Sequence, residues 1–193
     1  MLKKALIIFI VLPIGTAISG QKLDNTTALL VIDIQEFYFP GGNMPLYQPE
    51  IAAGNAALLI EGARKKGNEV VFVRHNYEPG GIFYKEIIPA ENEKIFSKDN
   101  VNSFLGTGLH RYLEEKGIDE LVICGMQTHM CVEAAVRAAS DLGYECILIH
   151  DACTSRDLKY DEHTISAIDV HLSTLSTLRS YALIISTEEY LHR

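Results

Sequence analysis

The sequence predicts an α/β domain: three layers, α/β/α, Rossmann-like, built on a six-stranded, largely parallel sheet. Two patterns and one bound predict it. Short apolar runs of strand length alternate with helix-length runs from Leu23 to the end. Strands apolar on both faces belong to parallel sheets that carry helices on both sides. The chain has 193 residues, of which 48% are apolar, which suits one domain with a substantial core.

The elements follow in order. Residues 28–33 are a continuous apolar run ending in Asp33. Residues 50–66 read as a helix, with Ile51, Leu58, Leu59 and Ala63 at helical spacing and Gly67 as the stop signal. Residues 69–74 are the second strand and residues 93–97 a weaker third. Residues 104–116 read as a helix stopped by Gly117, and residues 120–124 as the fourth strand. An Ala-rich helix over residues 129–142 stops at Gly143, and residues 145–150 are the fifth strand. Residues 160–179 are mainly helical, and residues 181–185 form the last strand. The long irregular stretch between them, residues 75–90, contains Pro79, Gly80, Gly81 and Pro89. Loops of that length in compact domains often carry function.

The first nineteen residues stand apart. Lys3 and Lys4 precede an uncharged stretch, and Ala17-Ile18-Ser19 offers a small-x-small cleavage site. This is the pattern of a secretory signal peptide, with an uncleaved anchor or a buried first strand as alternatives. The expected division is residues 1–19 as signal and residues 20–193 as one domain. The expected location is outside the cytoplasm, in the periplasm, with no stable membrane anchor after cleavage. Lys and Arg number 17 against 25 Asp and Glu, a net charge of −8. That balance argues against nucleic acid as a partner, because phosphate binding needs clustered cations. Cys124 and Cys146 lie in apolar strand-like runs, where a free thiol behaves as a small hydrophobe, so no disulfide framework is legible.

Open parallel sheets bind ligands beyond the carboxyl ends of their strands. The residues there are Asp33, Arg74, His75, Lys98, the stretch 125–131 and the stretch 151–155. Cys131 falls at a helix start, where unpaired N–H groups and the helix dipole favour a thiolate and hold an oxyanion. Read alone, it is equally a buried structural thiol. Asp33 is a general acid/base or a structural ion-pair partner. Lys98 is a surface lysine, or a cation that supports charge beside Cys131 and Asp33.

Three segments together resemble the isochorismatase-like cysteine hydrolase family. They are Ala28-Leu-Leu-Val-Ile-Asp33-Ile-Gln35, Lys98-Asp-Asn-Val-Asn-Ser-Phe104 and Gly125-Met-Gln-Thr-His-Met-Cys131-Val132. Gly143-Tyr144 and Asp151-Ala152-Cys153 match later landmarks of that family. The resemblance implies a catalytic set of Asp33, Lys98 and Cys131. Asp33 takes the thiol proton and later passes it to the leaving amine, the lysine stabilises the charged forms, and the thiolate forms a thioester that water hydrolyses. It also implies a cis peptide between Met126 and Gln127, with the N–H groups of Gln127 and Cys131 forming the oxyanion hole.

Two departures from the family's patterns narrow the expectation. Nicotinamidases in the family carry an Asp-x-His metal segment, whereas the matching stretch here, Arg74-His-Asn-Tyr-Glu-Pro-Gly-Gly81, has a single His. No metal and no cofactor are therefore expected. Isochorismatases proper lack the nucleophilic Cys, and this chain has Cys131. The expected activity is a metal-independent cysteine hydrolase for a C–N bond of a small amide, ureido or carbamoyl compound. The alternatives are a metal-assisted amidase of the nicotinamidase type, a non-catalytic small-molecule binding protein of the same fold, and a redox role for Cys131. The family commonly forms oligomers, so a homodimer or larger homo-oligomer is expected.

The remaining candidates are weaker. Phe37, His75 and Phe104 are candidate substrate-pocket residues, with core packing the alternative for the two rings and a surface loop for His75. His129 lies two residues before Cys131, and residues so spaced on a helix point in different directions, which disfavours a Cys–His dyad. Arg156 and Lys159 are loop cations, solvated or facing an acidic substrate group.

Overall fold

β1 (Thr27–Ile32) lies in the middle of a six-stranded sheet whose order is β3-β2-β1-β4-β5-β8, with every pair parallel. Its flanking strands are β2 (Glu69–His75) and β4 (Glu120–Met126). β3 (Lys94–Lys98) forms one edge, and β5 (Glu145–Thr154) leads to the other edge, β8 (Leu183–Ile185). The computed structural model describes residues 26–193. The expected export signal over residues 1–19 lies outside the described residues.

Successive residues of β1 point to opposite faces, and both faces are buried. Leu29 and Val31 join one core cluster; Ala28, Leu30 and Ile32 join the other. That is why the strand reads as an unbroken apolar run. The first cluster lies under α1 (Pro49–Lys66) and α5 (Thr187–Leu191), the second under α2 (Leu109–Glu115), α3 (Glu133–Asp141) and α4 (Ala167–Leu178). α1 starts with Pro at its first position, where the missing N–H costs nothing. It ends at Gly67, whose left-handed conformation lets its N–H reach the carbonyls of Ala63 and Arg64. Among the described residues, no helix is long and apolar enough to cross a membrane.

The structure corrects several element boundaries. The helix predicted from residue 104 begins only at Leu109, because Gly106 and Gly108 both take positive φ. The stretch predicted as one helix from residue 160 opens with an antiparallel hairpin, β6 (Leu158–Tyr160) and β7 (His163–Ile165), before α4 starts at its Ser166 cap. β5 runs four residues past its predicted end, so 151–154 belong to a strand. The helix predicted from His129 is a π-helical turn, Thr128–Val132, running into α3.

Chain order reverses direction across the sheet at β1. The chain steps from β1 out to β2 and β3, then crosses back to β4 on the other side. The crevice between the ends of β1 and β4 is the topological switch point, where such sheets bind ligands. Asp33 follows β1 there, and the 125–131 segment leaves β4 there.

Candidate active site

Three buried side chains meet at this crevice. Lys98 Nζ lies 2.7 Å from Asp33 Oδ2 and 3.2 Å from Cys131 Sγ. Both side chains of the Lys98–Asp33 pair are 0% exposed. Each arrives by a different route. Asp33 takes φ of 50°, in the left-handed region, immediately after β1, which turns the chain at the strand end. Its N–H still bonds the Val73 carbonyl at 2.9 Å, so the turn is fastened to β2. Lys98 is the last residue of β3 and so lies two strands from β1, about 10 Å across the sheet. Only a long side chain spans that gap with a charge at its end.

Cys131 depends on Gly125. The register between β4 and β5 shifts between Ile123 and Gly125, and Gly125 has φ of 136°. A Cβ at Gly125 would lie 2.0 Å from the Ile32 carbonyl oxygen. The missing side chain therefore lets β4 press against β1 just before the Met126–Gln127 bond, which is cis. Thr128 Oγ1 bonds the Thr154 carbonyl at 3.0 Å and pairs with His171 Nδ1 at 2.8 Å, tying the turn to β5 and α4.

Burial governs the proton inventory. It pushes the Cys131 thiol up to about 12, reinforced by the Asp33 carboxylate and only partly opposed by Lys98. The sequence places Cys131 where first-turn N–H groups favour a thiolate; burial and the Asp33 carboxylate act in the opposite direction, toward the thiol. Burial also raises the Asp33 carboxyl, against the ammonium of Lys98. Lys98 Nζ lies against Asp33 Oδ2, and Oδ1 has no hydrogen-bond partner among the described residues, so the carboxylate keeps a lone pair free to take a proton. A raised carboxyl beside a raised thiol is a base beside an acid.

The shell around these residues contains groups the sequence reading passed over. Gln35 is fully buried; it accepts from the His75 N–H at 2.8 Å and donates to the carbonyls of His75 and Gly81 at 2.9 and 2.6 Å. It clamps the end of β2 to the loop that follows. Gln127 donates from Nε2 toward the Tyr38 hydroxyl at 3.3 Å and accepts from Arg156 Nε at 3.2 Å. Arg156 is thus half-buried against the cis-peptide residue, whereas Lys159 lies exposed in β6. Burial pushes the Tyr38 hydroxyl up, and that hydroxyl accepts from Gln127 Nε2. Gln35 ends the segment Ala28-Leu-Leu-Val-Ile-Asp33-Ile-Gln35, but nothing in a single sequence shows which backbone groups a buried amide will meet.

The pocket candidates divide. Phe37 is buried against Tyr38 and Tyr77, and also lines a cavity of about 410 Å³ together with Pro79 and Tyr84. Phe104 packs near Tyr144 on the other side of the sheet. His75 reaches the reacting group itself, with Nδ1 3.1 Å from Lys98 Nζ. His129 turns aside to pair with Ser155 Oγ. All four cysteines are free.

The isochorismatase domain model matches residues 27–180, which include every residue of this site. The chain belongs to the isochorismatase family. Members of this family are hydrolases, and this chain is one of them. It is 40% identical over 178 residues to the uncharacterized isochorismatase family protein YddQ of Bacillus subtilis, covering 86% of this chain and 99% of that protein. The crystal structure of a candidate isochorismatase hydrolase from Oleispira antarctica matches with a TM-score of 0.85 and 39% identity, over 90% of this chain and all of that one. A maleamate amidohydrolase of Pseudomonas putida is 28% identical over 179 residues, 78% of this chain and 83% of that protein.

The metal-assisted alternative within the isochorismatase family can be tested on the donor set. Asp33, His75 and Cys131 bring ligand-type atoms within 4.8 Å of one another. Lys98 Nζ stands 2.7 to 3.2 Å from all three. The ammonium occupies the position a cation would take and supplies its charge, so these residues do not fit a metal.

Proposed function

We propose that the chain is a metal-independent cysteine hydrolase that cleaves the C–N bond of a small amide, ureido or carbamoyl compound through a thioester on Cys131. The observation that carries the reading is the ammonium of Lys98 in contact with both the Asp33 carboxylate and the Cys131 sulfur. The thiol gives its proton to Asp33 as sulfur attacks the carbonyl carbon. A thiolate of high basicity is the stronger nucleophile once formed, and Lys98 lowers the cost of forming it. The N–H groups of Gln127 and Cys131 serve as oxyanion donors. Asp33 then returns the proton to the leaving nitrogen; in the second half water attacks the thioester, Asp33 takes its proton, and that proton passes to the departing Cys131 sulfur, which restores the thiol and the carboxylate. Lys98 Nζ touches both the Asp33 carboxylate and the Cys131 sulfur, so an anion on either has the same side chain beside it.

Similarity to a maleamate amidohydrolase supports including short monoamides of dicarboxylic acids among trial substrates. Export through residues 1–19 and assembly into a homo-oligomer belong to the same proposal. N-terminal sequencing of exported protein and light scattering check them. The deciding experiment is intact-mass spectrometry during incubation with a panel of small amides, ureides and carbamoyl compounds. The expected result is a transient acyl adduct on Cys131 with release of ammonia or amine. Amide turnover that survives in Cys131→Ala would overturn the reading.

A further inference from the structure

Lys98 has three partners, and only two belong to the proposed reaction. The third is His75. The two residues are register partners at the carboxyl ends of β2 and β3. Gln35 fixes the His75 backbone through both its N–H and its carbonyl. The ring then presents Nδ1 to Lys98 Nζ at 3.1 Å. A lysine ammonium has three donors and no acceptor. Nδ1 must therefore be the acceptor, the ring must be neutral, and its proton sits on Nε2. Asp33 at 2.7 Å and Cys131 at 3.2 Å take the other two directions. The long stem of Lys98 crosses two strands to reach this point, and His75 is its anchor on the side away from the thiol and carboxylate.

We propose that neutral His75 is a positioning residue: its Nδ1 holds the Lys98 ammonium between Asp33 and Cys131, and protonation of the ring releases that hold. The inference rests on the reading of Asp33, Lys98 and Cys131 as the reacting groups. The charged and titratable groups facing the ring are Lys98 from β3, Asp33 from the turn after β1, Asp99 just past β3 and Cys131 from the π-helical turn. Arg74 and Glu78 line the adjoining groove. Burial, then the Lys98 charge, holds the His75 ring below the usual histidine range, with Asp33 and Asp99 opposing. Nδ1 facing the ammonium keeps the ring neutral, and the release falls on the acid side.

The test needs no substrate. The rate of Cys131 alkylation by iodoacetamide is measured from pH 5 to 9, localised by peptide mass, in the wild-type protein, His75→Leu and His75→Asn. Asn offers an uncharged amide oxygen close to the Nδ1 position and does not titrate. His75→Leu is expected to slow alkylation at pH 8 about tenfold, because the thiolate loses its adjacent charge. His75→Asn is expected to restore most of that rate. The wild-type profile should also carry a one-proton step on the acid side that is absent from His75→Asn. Wild-type alkylation in His75→Leu, failure of Asn to restore the rate, or an acid step that persists in His75→Asn would each overturn the proposal. Alkylation reports on the thiol whether or not an amide is ever turned over, so this result and the hydrolase reading stand or fall separately.

Discussion

Replacing Lys98 by Met tests the electrostatics of the site through stability alone. Met keeps the length of the stem and removes the charge, leaving Asp33 fully buried with no cation. Breaking a buried pair from one side costs about 3–5 kcal/mol. The variant can lower that cost by folding with Asp33 protonated. An unfolded Asp titrates near 3.9, so holding the proton costs about 1.4 kcal/mol per pH unit above that value. At pH 7 this sets a ceiling of about 4 kcal/mol; at pH 5 it falls to about 1.5 kcal/mol. The sign follows from the raised carboxyl. The folded variant binds a proton that the unfolded chain has released, so its stability rises as pH falls.

The assay is urea unfolding followed by far-UV circular dichroism, since the chain has no Trp. With a slope of about 2 kcal/mol/M, the midpoint should drop by roughly 2 M at pH 7 and by less than about 1 M at pH 5, each relative to wild type. Adding Asp33→Asn to Lys98→Met should recover much of the loss, because the orphaned charge is gone. A midpoint difference that is the same at both pH values, or a double variant weaker than Lys98→Met alone, would refute the reasoning.

Other perturbations follow from the same geometry. Asp33→Asn keeps the shape but cannot accept the thiol proton, so single-turnover acylation should slow by about 10²–10⁴; an unchanged acylation rate removes Asp33 as the base. Gly125→Ala places a methyl 2.0 Å from the Ile32 carbonyl oxygen at a φ that L residues rarely adopt. It should cost at least about 3 kcal/mol, read as loss of soluble folded protein or a collapsed melting temperature. Gln35→Leu strands the His75 N–H and two carbonyls, so destabilisation of about 3 kcal/mol is expected, with faster proteolysis within residues 76–90. Cleavage in that loop at the wild-type rate would show that the clamp does not secure it.

What the sequence could disclose depended on whether a feature is local. The strands were legible because burial on both faces leaves continuous apolar runs, as in β1 and β4. Asp33, Lys98 and Cys131 stood out because each sits at or beyond a strand end, but each alone kept a structural reading, and only the family resemblance joined them into one set. The His75–Lys98 contact was not legible, since it depends on the register between β2 and β3. The burial that opposes a thiolate at Cys131 was not legible, because helix-start chemistry is local while burial is a property of the whole fold. The β6–β7 hairpin was missed because its six strand residues run directly into α4 and carry no strong turn signal of their own. By contrast, Ser186 and Glu189 form a capping box for α5 that a closer reading of spacing would have found.

Lys98 is delivered by an edge strand of the sheet, and that has a consequence for how the protein fails. β3 is only five residues long, pairs on one side only, and buries just Phe96 and Lys98. Edge segments with few buried contacts open at a lower free energy than the core. When β3 peels away, the cation leaves with it while β1, β4 and β5 stay assembled. On the proposed role of Lys98, activity is expected to be lost before the core unfolds. The midpoint for losing a competent Cys131 should fall below the midpoint for losing helical signal, making this enzyme a sensor of its own periphery.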